Sequence, residues 1–320
     1  MLNELIDKDK KVFEYWSHAA AFLPMRDYRF TLFRKRYFGR FNKGWGMWEN
    51  KNRKLIKHVL ERINSEGPLQ SKDFEHQQKR GTWWDWKPAK HALEYLFHTG
   101  ELMVKSRKNF QKVYDLPERV LPANVVTAEP THEEHAEHMI LSAIRANGIV
   151  TKNEMVYQKF YAKTAFEKAF KILLNEQQII KIKVENLKQE YYSTNTELSK
   201  INKANELPEV AHILSPFDNL VIQRKRLNNL FNFDYAVECY IPSHKRKFGY
   251  FSLPVLYKDK FIARIDAKAD RNLKKFNVIS FYFEDGFEKN KKAISYVKNK
   301  IRAFAEFTGC EKALNYEILI

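Results

Sequence analysis

The residues of this chain best placed to do chemistry are cations. Lys105, Arg107 and Lys108 fall at a tip between two strand-like runs, Leu102 to Val104 and Phe110 to Tyr114, with no acid among them. Three such charges offer donors to a polyanion, and a phosphate backbone is the usual one. His244, Lys245, Arg246 and Lys247 repeat the arrangement after Ser243, again between two strand-like segments. They read as phosphate contacts on a hairpin rather than as a solvated turn. Arg224 and Arg226 follow Ser215-Pro216-Phe217-Asp218 and join that contact set, with Asp218 suited to a turn, to a cap or to holding one of the arginines.

The remaining clusters read more plainly. His132, His135 and His138 are spaced by three, but steps of three drift around a helix axis, and Glu133, Glu134 and Glu137 suggest a solvated first turn. No metal is expected. Asp266 and Asp270 could act as paired acids, yet beside Lys268 and Arg271 they read as surface ion pairs. Cys239 and Cys310 are too few for a disulfide framework or a four-thiolate zinc site and read as reduced core thiols.

Composition narrows the partner. Over 320 residues the formal net charge is +17, with 44% apolar and 14% aromatic residues. That is a folded chain carrying far more positive charge than solubility needs, spread over several segments, as an extended duplex track would require. No run of about 18 apolar residues is present, and MLNELIDKDK lacks the apolar core of a signal peptide. A cytoplasmic, nucleoid-associated protein is the expectation.

The elements that must position these cations follow from periodicity. Pro88 and Gly100 bracket a helix with Ala89, Ala92, Leu93, Leu96 and Phe97 inward and Lys87, Lys90, His91 and Glu94 outward. A preceding stripe, Leu55, Ile56, Val59, Leu60 and Ile63, stops at Gly67-Pro68, and Ser71 suits the N-cap of a short helix over 72–76. Helix, turn, helix, helix and hairpin is the winged-helix order. Residues 117–130 read as a linker. The order then returns, with Ala136, Met139, Ile140, Ala143 and Ile144 on a first helix and Phe166, Ala169, Phe170, Leu173 and Leu174 on a third. Thr151 with Glu154 and Thr164 with Glu167 have the spacing of capping boxes. Strands are expected at 180–184, 189–193, 213–214, 236–240, 249–253, 261–265 and 278–283, the later ones forming a barrel or curled sheet under a helix from Ala293 to Phe307. At the start, Leu2, Leu5 and Ile6 suggest a helix. From Arg26 to Lys43 basic residues, Arg34 among them, interleave with aromatic rings that belong mostly to the core.

Long segments carry a likeness: EYWSHAAAFLPMRDYR, FEHQQKRGTWWDWKPAKHALEYLFHTGELMV, NFQKVYDL, LSPFDNLVIQRKRLNNLFNFDY and ECYIPSHKRKFGYFSLPVL followed by RIDAKADR. In these the chain closely resembles the YcaQ-type crosslink-repair DNA glycosylases, relatives of the AlkZ enzymes, in order over nearly its whole length. The resemblance implies an α+β protein with tandem winged helices followed by a small antiparallel β-barrel and a packing helix. Its expected domains are residues 1–49 (the remnant of an N-terminal winged helix), 50–118, 131–205 and 209–320. It implies double-stranded DNA, damaged or crosslinked, as partner, and hydrolysis of the N-glycosidic bond of alkylated purines without metal or organic cofactor. It also puts His18 at the floor of the catalytic cleft, against a phosphate or the damaged base, with a hydrogen-bonded structural histidine as the alternative.

One departure bears on the reaction. The family's catalytic motif, Gln, a hydrophobic residue, then Asp or Gln, lies before the EYWSH segment, and no such triplet occurs in these 320 residues. The catalytic residues are therefore unknown, and weak or absent excision with retained DNA affinity is expected. The alternative is a non-catalytic winged-helix DNA binder or transcription regulator. Nothing in either reading requires an oligomer.

Overall fold

A computed structural model describes residues 2, 4–17, 19–74, 88–203, 207–288 and 290–314. In chain order its elements are β1 (Val12–Trp16), β2 (Ala20–Pro24), α1 (Leu32–Arg36), α2 (Phe38–Phe41), α3 (Lys43–Glu66), β3 (Leu69–Gln70), α4 (Pro88–Thr99), β4 (Met103–Lys108), β5 (Gln111–Asp115) and α5 (Pro117–Val120). There follow α6 (His132–Asn147), α7 (Lys152–Met155), α8 (Lys163–Asn175), β6 (Ile180–Lys183), β7 (Glu190–Ser193), α9 (Asn195–Lys203), β8 (Ala211–Ile213), α10 (Asn219–Ile222), α11 (Arg224–Phe231), β9 (Leu253–Tyr257), β10 (Lys260–Asp270), β11 (Lys275–Phe283), α12 (Lys291–Phe307) and β12 (Lys312–Leu314). Two compact units result, Met1–Ser142 with Met155–Gln177, and Ala143–Glu154 with Gln178–Ile320.

In the first unit the apolar stripes of α3 and α4 meet. Val59 and Ile63 pack with Ala92, Leu93, Leu96 and Phe97, and the same core takes in Phe13 and Tyr15 of β1 and Leu102, Met103, Val104 and Tyr114 of the hairpin. Helix α4 begins at Pro88, where a missing N–H costs nothing, and ends before Gly100. Gly100 has φ +87°, and a Cβ there would stand 2.7 Å from Cδ of Lys35, so only glycine fits. β3 and β4 flank β5 in an antiparallel sheet.

Several expectations change. The start is a π-helical turn, Glu4–Lys8, and the basic aromatic segment opens as a 3₁₀ stretch, Met25–Thr31, before α1 and α2. Its rings do enter the interior: Tyr28, Phe33 and Phe38 are buried. Ser71 starts only a 3₁₀ turn, Ser71–Phe74, whose cap is Asp73 Oδ2 accepting from the Gln70 N–H at 2.7 Å. The Thr151–Glu154 box forms as expected. Thr164 lies inside α8 instead, which starts after Ala162 with no side-chain cap. An unforeseen box, Thr131 with Glu134, starts α6.

The second unit carries a curled five-stranded sheet ordered β12-β11-β10-β9-β8, antiparallel except for β12 beside β11. It is not a closed barrel among the described residues: the edge strands β8 and β12 are short and do not pair with each other. Bulges near Phe261 and Asp266 in β10 supply the curl. Ala293, Val297, Ile301 and Ala305 of α12 cover Val255, Ile262, Ile265, Phe276 and Val278. Strands were expected over 236–240 and 249–253, but 236–240 and 249–252 run as irregular chain, and only Leu253 joins a strand, as the first residue of β9. Side-chain carboxylates take the place of strand partners there. Glu238 accepts the N–H groups of Lys247, Phe248 and Gly249, and buried Asp266, expected on the surface, accepts that of Tyr250 at 2.6 Å.

No helix among the described residues is long and apolar enough to cross a membrane. Cys310 is buried as a core thiol, whereas Cys239 is only half-buried.

Candidate nucleic-acid interface

The β4–β5 hairpin is bolted to the core through charge. Glu14 of β1, 3% exposed, receives both Nε and Nη2 of Arg107 at 2.8 and 2.7 Å. Lys112 lies 3.8 Å from Glu14 and donates to Glu94 at 3.0 and 3.1 Å, and Tyr114 Oη donates to Glu94 at 2.8 Å. Burial, then the Glu94 charge, pushes the Tyr114 phenol well above its ordinary range, so it stays a donor. The Glu14 hydrogen bonds hold Arg107 above its usual value. One residue pair along, Asp115, fully buried, accepts from Lys105 Nζ at 3.1 Å, from Arg119 at 3.4 Å and from the Leu116 N–H at 2.9 Å.

Two of the three tip cations are therefore not the acid-free charges that the sequence suggests. Arg107 and Lys105 reach acids that lie far away in sequence or across the hairpin: Glu14 arrives because β1 packs into the same core as the hairpin, and Asp115 because it pairs with Met103 at the hairpin's base. Lys108 is exposed and makes no ion pair among the described residues.

Helix α4 presents less outward face than expected. His91 stacks on Trp48 with centroids 4.2 Å apart and meets the edge of Trp45. Glu94 turns to β5, as above. Lys90 is half-buried. Lys87 and His18 lie outside the described residues. Arg34 donates to the Ser17 carbonyl at 3.1 Å and lies over the Phe160 ring, with Nε buried and without a hydrogen-bond partner among the described residues. An open cleft of about 400 Å³ nearby is lined by Lys35, Arg36, Glu49, Asn50, Tyr95 and Glu101 among others.

The histidines of α6 serve packing. His138 stacks on Phe30 at 3.7 Å and His135 on Phe33 at 4.8 Å, and Arg29 forks onto Glu134 at 3.1 and 3.3 Å. The first turn of α6 is thus solvated at His132, Glu133 and Glu134, as expected, and also makes contact with the aromatic segment through Arg29 and the Phe33 ring. No group that could hold a metal ion occurs among the described residues.

In the second unit the two arginines of the Arg224-Lys225-Arg226 run are structural. Arg226, 4% exposed, bonds Glu154 at 2.8 Å and the carbonyls of Ile149 and Asn147, so no face is left for a phosphate. Arg224 donates to the Val221 and Pro216 carbonyls and lies 4.5 Å over Tyr235. Asp218 holds neither; it caps α10 by accepting the Leu220 N–H.

The 243–247 segment is a 3₁₀ turn in a long loop, not a strand hairpin. His244, Lys245 and Lys247 are exposed, while Arg246 donates to the Ile241 carbonyl and lies over Tyr250. Burial would raise the Glu238 carboxyl beneath, but the three backbone N–H groups outweigh it and keep the acid below its ordinary value. Behind it Arg264 is sandwiched between Phe233 and Phe248, at 4.5 and 4.0 Å, and forks onto Glu284. Sequence reasoning missed these bracing acids, whose only local signal is an acid a few residues ahead of a basic loop.

A family model described as DNA glycosylase AlkZ-like matches residues 1–307. The fold is similar to that of the Streptomyces sahachiroi DNA glycosylase AlkZ, with a TM-score of 0.62 at 13% identity, covering 98% of this chain and 83% of that one. At that identity the likeness speaks for the fold, and the family model speaks for descent: the chain belongs to the AlkZ-like DNA glycosylase family.

Proposed function

We propose that this chain binds damaged or crosslinked double-stranded DNA through braced basic loops, as a repair protein of the kind that releases alkylated purines. The observation that carries the proposal is the bracing itself. At the β4–β5 hairpin, buried Glu14 and Asp115 take up the inner cations and leave Lys108 outside. At the 243–247 loop, buried Glu238 fixes the backbone and leaves His244, Lys245 and Lys247 outside. Cations on a rigid frame lose little entropy when they meet a phosphate. In this reading α3, the 71–74 turn, α4 and β4–β5 form one winged helix, and α6, α7, α8 and β6–β7 a second. Lys90 and Arg34 supplement the hairpin, and Lys105 contributes only charge.

Excision is a separate matter. Cleavage of an N-glycosidic bond passes through an oxocarbenium-like sugar, which needs a carboxylate or amide to stabilise it and to hold the attacking water. Glu14, Glu94 and Asp115 are buried or nearly so and already committed to cations, and the Gln-hydrophobic-Asp or Gln triplet is absent from these residues. This polypeptide by itself therefore excises weakly or not at all while keeping its DNA affinity. An excision assay on duplex carrying an alkylated purine, run beside a salt titration of binding, tests both halves. Turnover like that of a relative that carries the triplet refutes the first, and failure to bind duplex at low ionic strength refutes the second. The missing triplet also favours a second reading, a non-catalytic duplex binder or regulator, which equal affinity for damaged and undamaged duplex, or binding to one sequence, would support.

A further inference from the structure

The β4–β5 hairpin ends in a residue that the fold does not explain. The register pairs Lys108 with Gln111, so Asn109 and Phe110 form a two-residue turn, with φ of +49° and +64°. Asparagine suits the first of these positions and glycine the second; a large side chain in the left-handed region is strained. Phe110 is nevertheless there, and the residue is 90% exposed. Strain without burial is doubly unfavourable, so the residue's use lies outside the folded chain.

The surroundings say what that use is. Arg107, whose guanidinium is gripped by buried Glu14, also donates Nη1 to the Phe110 carbonyl at 2.6 Å. The ring is thus keyed to the core through a single side chain and held out at a fixed height. Lys108 stands next to it in the strand, exposed. A rigid aromatic projecting beyond a cation matches a wedge: the cation meets a phosphate while the ring enters the base stack from a groove.

We propose that Phe110 inserts between neighbouring base pairs of bound duplex and kinks it. This rests on the DNA-binding function proposed above. The test uses the full chain and a short duplex of mixed sequence carrying a fluorophore at each end, with Phe110→Ala and Phe110→Trp compared with wild type. Wild type and Phe110→Trp bring the duplex ends closer on binding. Phe110→Ala binds about tenfold more weakly, the order expected for loss of one base–aromatic stack, leaves the end-to-end distance unchanged, and keeps the salt slope because no phosphate contact is lost. Removal of the strained ring does not lower its unfolding temperature. A Phe110→Ala protein that bends and binds duplex as wild type does overturns the wedge while leaving the DNA-binding function intact. A wild-type chain that binds no duplex at low salt removes that function and the wedge with it.

Discussion

Replacing Arg107 and Lys108 one at a time separates bracing from DNA contact. In the wild-type hairpin Glu14, 3% exposed, is neutralised mainly by the two short bonds from Arg107, which is itself 32% exposed. Deleting one partner of a buried pair costs about 3–5 kcal/mol, because the other charge is left desolvated and alone. Lys112 stays 3.8 Å from Glu14 but is already bonded to Glu94, so its compensation is partial and a loss of about 2–3 kcal/mol is expected for Arg107→Ala. For a unit of this size that lowers the unfolding midpoint by about 8 °C. Its affinity for duplex falls as the tip loosens, but the slope of log K against log salt does not change, since Arg107 spends its charge on Glu14.

Lys108→Ala should do the reverse. An exposed lysine with no ion partner among the described residues leaves stability within about 0.5 kcal/mol, while one lost phosphate contact reduces the salt slope by about 0.9. Thermal unfolding by circular dichroism and anisotropy titrations at several salt concentrations read both quantities. If Arg107→Ala melts like wild type and loses a unit of slope, the guanidinium serves a phosphate and the bracing argument fails.

Two pH effects follow from burial. Lys35 Nζ has no hydrogen-bond partner among the described residues, lies over the rings of Tyr28, Tyr15 and Phe13 at 4.1, 4.8 and 5.9 Å, and is pushed down by burial to about 7. The unfolded chain holds this proton up to its ordinary pKa of about 10.4, so stability rises with pH between the two values and is lowest below the folded one. Lys35→Met should stabilise the protein by about 2 kcal/mol at neutral pH, the ring faces offsetting part of the burial cost, and should abolish the alkaline rise; a destabilised variant in denaturant titrations would contradict this. His98 and His135 are both pushed down to about 4, by burial first. Each stays neutral in the folded chain while the unfolded chain protonates near pH 6.5, so stability is full above that value and is lost toward pH 4, at about 2.7 kcal/mol per pH unit for the two together. Replacing both with Phe should flatten that acid limb, and a limb of unchanged steepness would place the titration elsewhere.

How far the sequence could be read depends on the range of the interaction concerned. Pro88, Gly100 and the inward stripe of α4 are local signals, and the helix occupies that span. The Thr151–Glu154 box and the stripe of α12 are equally local. The failures are long-range. Arg107 looks unopposed because its acid is 93 residues away, and Glu94 looks outward because its partners, Lys112 and Tyr114, arrive only when β5 pairs. Residues 236–240 alternate as a strand would, yet Glu238 is drawn inward to hold a loop that begins several residues later. Alternation cannot distinguish a side chain that faces a core from one that faces backbone amides.

The same long-range pairing bears on the excess of positive charge. A net charge of +17 gives a field only to the extent that acids do not screen it. Glu14, Asp115, Glu154, Glu238 and Asp266 are all buried or nearly so, each spent on an inner cation or on backbone N–H groups. Acids placed beneath a loop brace it and are also withdrawn from its outer surface, so one residue does both tasks. Cations near such a loop then divide by depth rather than by type. Arg226 and Arg107 lie at the level of the acids and set geometry, whereas Lys108 and Lys245 stand beyond them and meet whatever approaches from solvent. That division explains why counting basic residues along this sequence does not separate the outer cations from the inner ones: a lysine or arginine reads alike at either depth until its acid is in place.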